Sequence, residues 1–163
     1  MSISDSDFEA RIITNVEQHG CSINVVSDPD GDAPAFAYSI GFPKSVGQPE
    51  VIVFGLSSDM MQYMINETRR QCAEEGLKLE DGTVIGGLLQ GFHCILRPVP
   101  KDRIEVEYFN SAMWYRRAVM HEQMDGAFQI FWPGASDGLF PWDEGADPYV
   151  VRLQSQLLEE LKT

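Results

Sequence analysis

The stretch that most limits how this chain can fold is Ala127 to Asp143, AFQIFWPGASDGLFPWD. Fifteen residues, Phe128 to Trp142, hold five of the seventeen aromatic side chains. Rings at that density need a large apolar surface to receive them. Trp132-Pro133 and Pro141-Trp142 frame Gly134 to Gly138, a turn by composition. Phe128, Ile130 and Trp132 alternate onto one face, which predicts a strand over Phe128–Trp132. Gly138–Trp142 then returns as the second arm of an aromatic hairpin. Phe128 or Phe131, and Phe140, are expected in the core. Gln129, Trp132, Asp137 and Trp142 keep a polar end or a turn position free for a surface role.

The remaining pattern decides the fold class. Ser4 to His19 reads as a helix stopped by Gly20, followed by a hairpin of Cys21–Val26 and Ala35–Ile40 around the turn Asp28–Asp32. Gly41 to Gln48 reads as a loop. Val51–Phe54 is apolar on both faces, as a central strand requires. Ser57 or Ser58 caps a helix that runs to Glu75 and stops at Gly76. Leu77–Gly91 suggests short strands with bends at its glycines, and Phe92–Val99 a strand. Ile104–Tyr108 alternates like a strand, Ser111–Glu122 reads as a short helix, and Asp147-Pro148 opens a last helix. The expected class is α+β, with a mostly antiparallel sheet, open or barrel-like, carrying three to four helices.

The 163 residues suit a single domain, 1–163, with a core over about 10–145 and a C-terminal helix over about 148–161. A chain this long buries roughly 70% of its unfolded surface and needs no staple. Twelve basic against twenty-five acidic residues give a net charge of −13. That field repels phosphate backbones and argues against nucleic acid; its first reading is solubility, and its sharper one a surface steered toward a basic protein. No apolar run reaches the ~20 residues of a membrane span. The polar, acidic start is unlike a signal peptide, and three cysteines close no disulfide framework, so a cytoplasmic location is expected. An apolar edge at 50–56 or the methionine face at 60–64 would suit a homodimer.

Three pieces of the chain, taken together, resemble one family. They are His19-Gly20 before a strand; Phe36-Ala37-Tyr38-Ser39-Ile40-Gly41 with Pro49-Glu50-Val51-Ile52-Val53-Phe54-Gly55-Leu56; and Phe128–Pro133 with Asp137–Trp142. The likeness is to bacterial proteins grouped as the domain of unknown function 4262 family, and it covers roughly residues 10 to 145. The family's usual tyrosine-threonine step is Tyr38-Ser39 here, which keeps the hydroxyl. The resemblance implies no activity.

No catalytic or metal motif is complete. His19, Cys21, His93 and Cys94 are zinc-type residues, but adjacent strand residues point to opposite faces, so His93 and Cys94 would not both ligate. Cys21 or Cys94 with His93 or His121 supplies only residue types for thiol catalysis. Gly86-Gly87 lacks the context of a phosphate loop. No cofactor or metal is expected. Tyr38, Glu50, His93, His121 and Gln129 are polar groups in or beside apolar segments, and each needs a partner or a cavity. The expected function is therefore a non-catalytic binding or protein-interaction domain, for example immunity- or antitoxin-like. The alternative is a small-molecule binder or enzyme using a polar-aromatic pocket near Tyr38, His93, Gln129 and Trp132.

Overall fold

The structure, a computed structural model, describes residues 5–157. Its centre is one open six-stranded sheet in the order β1-β2-β3-β6-β5-β4. The strands are β1 Ser22–Val26, β2 Phe36–Ile40, β3 Glu50–Phe54, β4 Val84–Leu89, β5 Phe92–Pro98 and β6 Ala127–Phe131. Every pairing is antiparallel except β3 with β6. The sheet ends in free edges at β1 and β4 and does not close into a barrel.

The described residues form five α-helices rather than three or four: α1 Asp5–His19, α2 Phe42–Ser45, α3 Ser58–Glu75, α4 Val106–Ala118 and α5 Pro148–Gln154. Strand alternation assigns them to faces. Val51 and Val53 point to one side, where Met61, Met64 and Ile65 of α3 cover them together with Leu96 and Ile130. Ile52 and Phe54 point to the other, under Ile12 and Val16 of α1 and Phe109, Ala112 and Tyr115 of α4. That double cover is why 51–54 reads as a continuous apolar run. Each such fully buried side chain contributes about 1.5–3 kcal/mol by leaving water. Helix α3 begins and ends as its sequence indicates: Ser57 Oγ accepts from Met60 N, and Gly76 takes the left-handed stop.

Several expectations are corrected. Residues 41–48 are not all loop, because α2 turns on Gly41. The alternation at Ile104–Tyr108 is not a strand: Pro98 and Pro100 end β5, a 3-10 turn follows at Lys101–Arg103, and α4 starts at Val106, with a break at Phe109 (φ −135°). This helix stops at Ala118, short of Glu122. Gly138–Trp142 cannot return beside β6, because β3 and β5 already occupy both edges of that strand. Those residues form turns, with Gly138 N donating to Gly134 O and Gly134 N to Leu139 O. The last helix ends at Gln154; residues 158–161, expected within it, lie outside the described residues. The dimer surfaces also change: 50–54 is interior, and Met61 and Met64 are buried, leaving Met60 exposed on that helix face.

Helix α5 closes the end of the sheet after β3 and β6. Asp147 Oδ1 caps it by accepting from Tyr149 N, and Val150 and Leu153 reach the core. The Gln154 side chain continues β6 as a strand would, donating to Trp132 O and accepting from Trp132 N, both at 2.9 Å. Gly55 makes this close approach feasible: it has φ +85°, and a Cβ there would lie 2.8 Å from Cβ of Leu153. Gly55→Ala is expected to cost about 2 kcal/mol or more in urea denaturation, combining left-handed strain with the collision. Hydrogen exchange should speed up first at the Trp132 amide.

Candidate functional site

The polar residues singled out in the sequence do not gather into one pocket. Tyr38 and Gln129 share a face of the sheet, in register through Ile52, about 10 Å apart by strand spacing. Trp132 lies at the odd–even opposite of Gln129 and packs into the α3-side core. His93 is exposed on β5. Each buried member has a local duty. Tyr38 Oη accepts from Ser111 N at 3.0 Å and from Asn24 Nδ2 at 2.9 Å, tying α4 to β1 and β2. Gln129 Nε2 donates to Gln154 O, and Trp132 Nε1 donates to Phe54 O at 2.8 Å. Gln129 Oε1 finds no hydrogen-bond partner among the described residues.

The aromatic stretch is divided between core and surface. Phe131 is buried, while Phe128, Phe140 and Trp142 are half-buried. Trp142 stacks on Phe140 at 5.3 Å, meets Phe131 edge-on at 5.1 Å and lies under Arg97 at 5.0 Å. Asp137, exposed, accepts from Leu139 N and so shapes its own turn.

Glu50 is the most demanding buried group. At 3% exposure its carboxylate accepts from Ser39 Oγ at 2.7 Å, Gly41 N at 2.7 Å and Phe42 N at 3.1 Å. Ser39 Oγ in turn accepts from Val51 N. The carboxylate thus joins the end of β2, the first turn of α2 and the start of β3. Burial pushes the carboxyl up to about 7, against the opposing pull of those three donors and of the Arg116 charge. The thiols are also displaced upward by burial, Cys21 and Cys72 to about 11 and Cys94 to about 12. No cluster of three or more metal-ligating side chains occurs among the described residues.

A cleft of about 900 Å³ lies elsewhere, beside the C-terminal half of α4. Ligand sites typically occupy about 300–1,000 Å³. Its apolar floor is the half-buried Ile104 and Met113 with the buried Met124, and its exposed rim carries Lys101, Arg117 and His121 together with Glu122 and Asp125. The 3-10 turn after β5 supplies Lys101, and the helix supplies Met113 and Arg117. The residues after α4 complete the wall. Glu122 N donates to Arg116 O and His121 N to Arg117 O, a helix stop in which His121 takes the left-handed position (φ 59°). Every other described residue with positive φ is glycine. Arg116 reaches back from this stop to Glu122 at 2.9 Å and helps to line a second cleft of about 310 Å³ with Pro43 and Gln48.

Of the residues selected from sequence, only His121 belongs to the large cleft. Lys101, Ile104, Met113, Arg117 and Met124 were missed. No glycine marks the end of α4, so the helix reads on to Glu122 and the turn that builds the wall is invisible in the residue pattern.

The model of one protein family, described as a domain of unknown function (DUF4262), matches residues 15–147. No curated protein and no solved structure matches the chain.

Glu50→Ala should leave two amides and a hydroxyl without their acceptor, at about 1–3 kcal/mol each. The pH dependence has a definite sign. The folded carboxyl is raised from 4.5 to about 7, so its contribution to stability is full below pH 4.5 and falls through that window. It is lost above pH 7 or so. Urea titrations from acid to neutral pH should show this fall in the native protein, and Glu50→Gln should lack it.

Proposed function

The chain belongs to the DUF4262 family, and from its geometry we propose that it is a binding domain without a catalytic centre, seating its ligand in the cleft beside α4. The observation that carries this reading is the contrast between two groups of polar side chains. Those buried in the sheet are committed to structure: Tyr38 to α4, Glu50 to α2, Trp132 to the β3 terminus. Thiols held near 11 and 12 are far from the thiolate a nucleophile needs. The cleft combines an apolar floor with a charged rim, the usual composition of a site that fixes a ligand by a few polar groups.

A second reading is an immunity- or antitoxin-like role toward a basic protein in the bacterial cytoplasm. The net charge of −13 favours it, by steering a positive surface toward this one. Its mark would be capture of a basic partner that weakens steeply as salt rises.

Met113 is half-buried on the cleft floor, so Met113→Lys should obstruct the seat while leaving the fold intact. In a thermal-shift screen of a metabolite library, ligands of the cleft should raise the native Tm and lose that effect in Met113→Lys. Turnover of a metabolite by the isolated chain, or hits indifferent to the substitution, would overturn the proposal.

A further inference from the structure

We infer that the cleft beside α4 takes a small amphipathic carboxylate, its head held by Lys101, Arg117 and His121 and its apolar body laid on Ile104, Met113 and Met124. The inference rests on the reading of that cleft as the ligand seat and names the chemical class it accepts.

Charge is the first argument. In a chain of net −13, the rim brings two cations and an imidazole to one cleft. Neither Lys101 nor Arg117 has a side-chain hydrogen bond or ion pair among the described residues. Elsewhere Arg70 is held by Glu67, Glu74 and Glu75, and Arg116 by Glu122. Of the two acids lining the cleft, Glu122 is thus already matched by Arg116, which leaves Asp125. Two unmatched cations against one unmatched carboxylate favour a ligand with a single negative charge. A planar carboxylate suits the guanidinium fork of Arg117.

The floor gives the second argument. Met113 and Met124 are flexible, polarizable side chains that adapt to an irregular apolar shape. Ile104 adds a branched surface beside them. Their role would be to receive an alkyl or aryl body rather than a polar one.

Backbone conformation gives the third. Position 121 closes α4 in the left-handed region, where glycine is favoured because a side chain is strained there. Strained residues persist where the surroundings or the function require the side chain. His121 is exposed, so core packing does not require it, and its ring lies on the cleft rim. A glycine would make a better helix stop and a poorer ligand site.

The test uses the whole chain with octanoate and 3-phenylpropanoate, their primary amides, and octylamine, read by calorimetry and thermal shift. The carboxylates should bind at least tenfold more tightly than the amides, and octylamine should not bind. Arg117→Gln and Lys101→Gln should each weaken the carboxylates about tenfold. His121→Gly should raise the Tm of the free protein by about 2–4 °C while weakening the carboxylates. His121→Asn, which tolerates the same backbone, should weaken them without loss of fold. A purely structural His121 would move Tm and leave affinity unchanged, which would overturn the assignment. Equal binding of acids and amides, or no carboxylate binding at millimolar concentration, would also overturn it. If instead neutral compounds bind and Met113→Lys abolishes them, the seat stands and only the carboxylate class fails.

Discussion

The structure depends on one buried carboxylate. Glu50 sits at the start of the central strand β3, where its side chain is shut off from solvent and its oxygens take donors from the protein. They take the Ser39 hydroxyl and the amides of Gly41 and Phe42, so the chain must turn tightly after β2 and wind α2 around the carboxylate. Gly41 allows that turn at φ +104°, with Val16 packed where a side chain would stand. The register of β2 on β3 follows, and with it the separation of Val51 and Val53 from Ile52 and Phe54 onto two core faces. A slip of one residue would exchange those faces and strand the carboxylate.

The family signature can be understood in these terms. The piece containing Tyr38-Ser39 is β2, the piece from Pro49 to Leu56 is β3 and its exit, and Phe128–Trp132 covers β6 and the residue after it. They are the three adjacent strands at the middle of the sheet. Hydrogen bonds connect the pieces directly: Ser39 and Gly41 to Glu50, and Trp132 Nε1 to Phe54 O. The signature therefore records how the centre of the sheet is locked. The candidate binding cleft draws on 101–125, a stretch that no piece of the signature touches.

That division explains what the sequence revealed. Helices α1 and α3 and strands β1, β2, β3, β5 and β6 were legible because periodicity and caps agree locally, as at Ser57 and Gly76. The aromatic hairpin failed because its second arm depended on which edge of β6 was free, and that is decided by β3 and β5, distant in sequence. The strand expected at Ile104–Tyr108 failed because alternation with glutamates is also compatible with a helix start whose Val106 faces solvent. Polar residues within apolar runs, such as Tyr38, Glu50 and Gln129, look like site residues in a sequence, since their partners Ser111, Gly41 and Gln154 are contributed by other elements. The cleft residues gave the opposite impression: lone charges and methionines in an undistinguished stretch, assembled by a helix stop that has histidine in place of glycine.

The single parallel pairing also sets the order in which the protein can assemble. Strands β1, β2 and β3 can form a meander from nearby residues, and β4 and β5 a local hairpin. Strand β6 joins the two, and its pairing of Ala127 with Glu50 spans more than seventy residues. Contacts that distant in sequence close slowly, because the loop entropy is lost before the contact is made. On a ribosome, β3 is therefore made long before its second neighbour, and until β6 emerges both β3 and β5 present an unpaired edge. An apolar strand with an open edge is a template for the wrong partner. The nascent chain is most vulnerable between the synthesis of Phe54 and that of Phe131, the interval in which a chaperone would have most to protect.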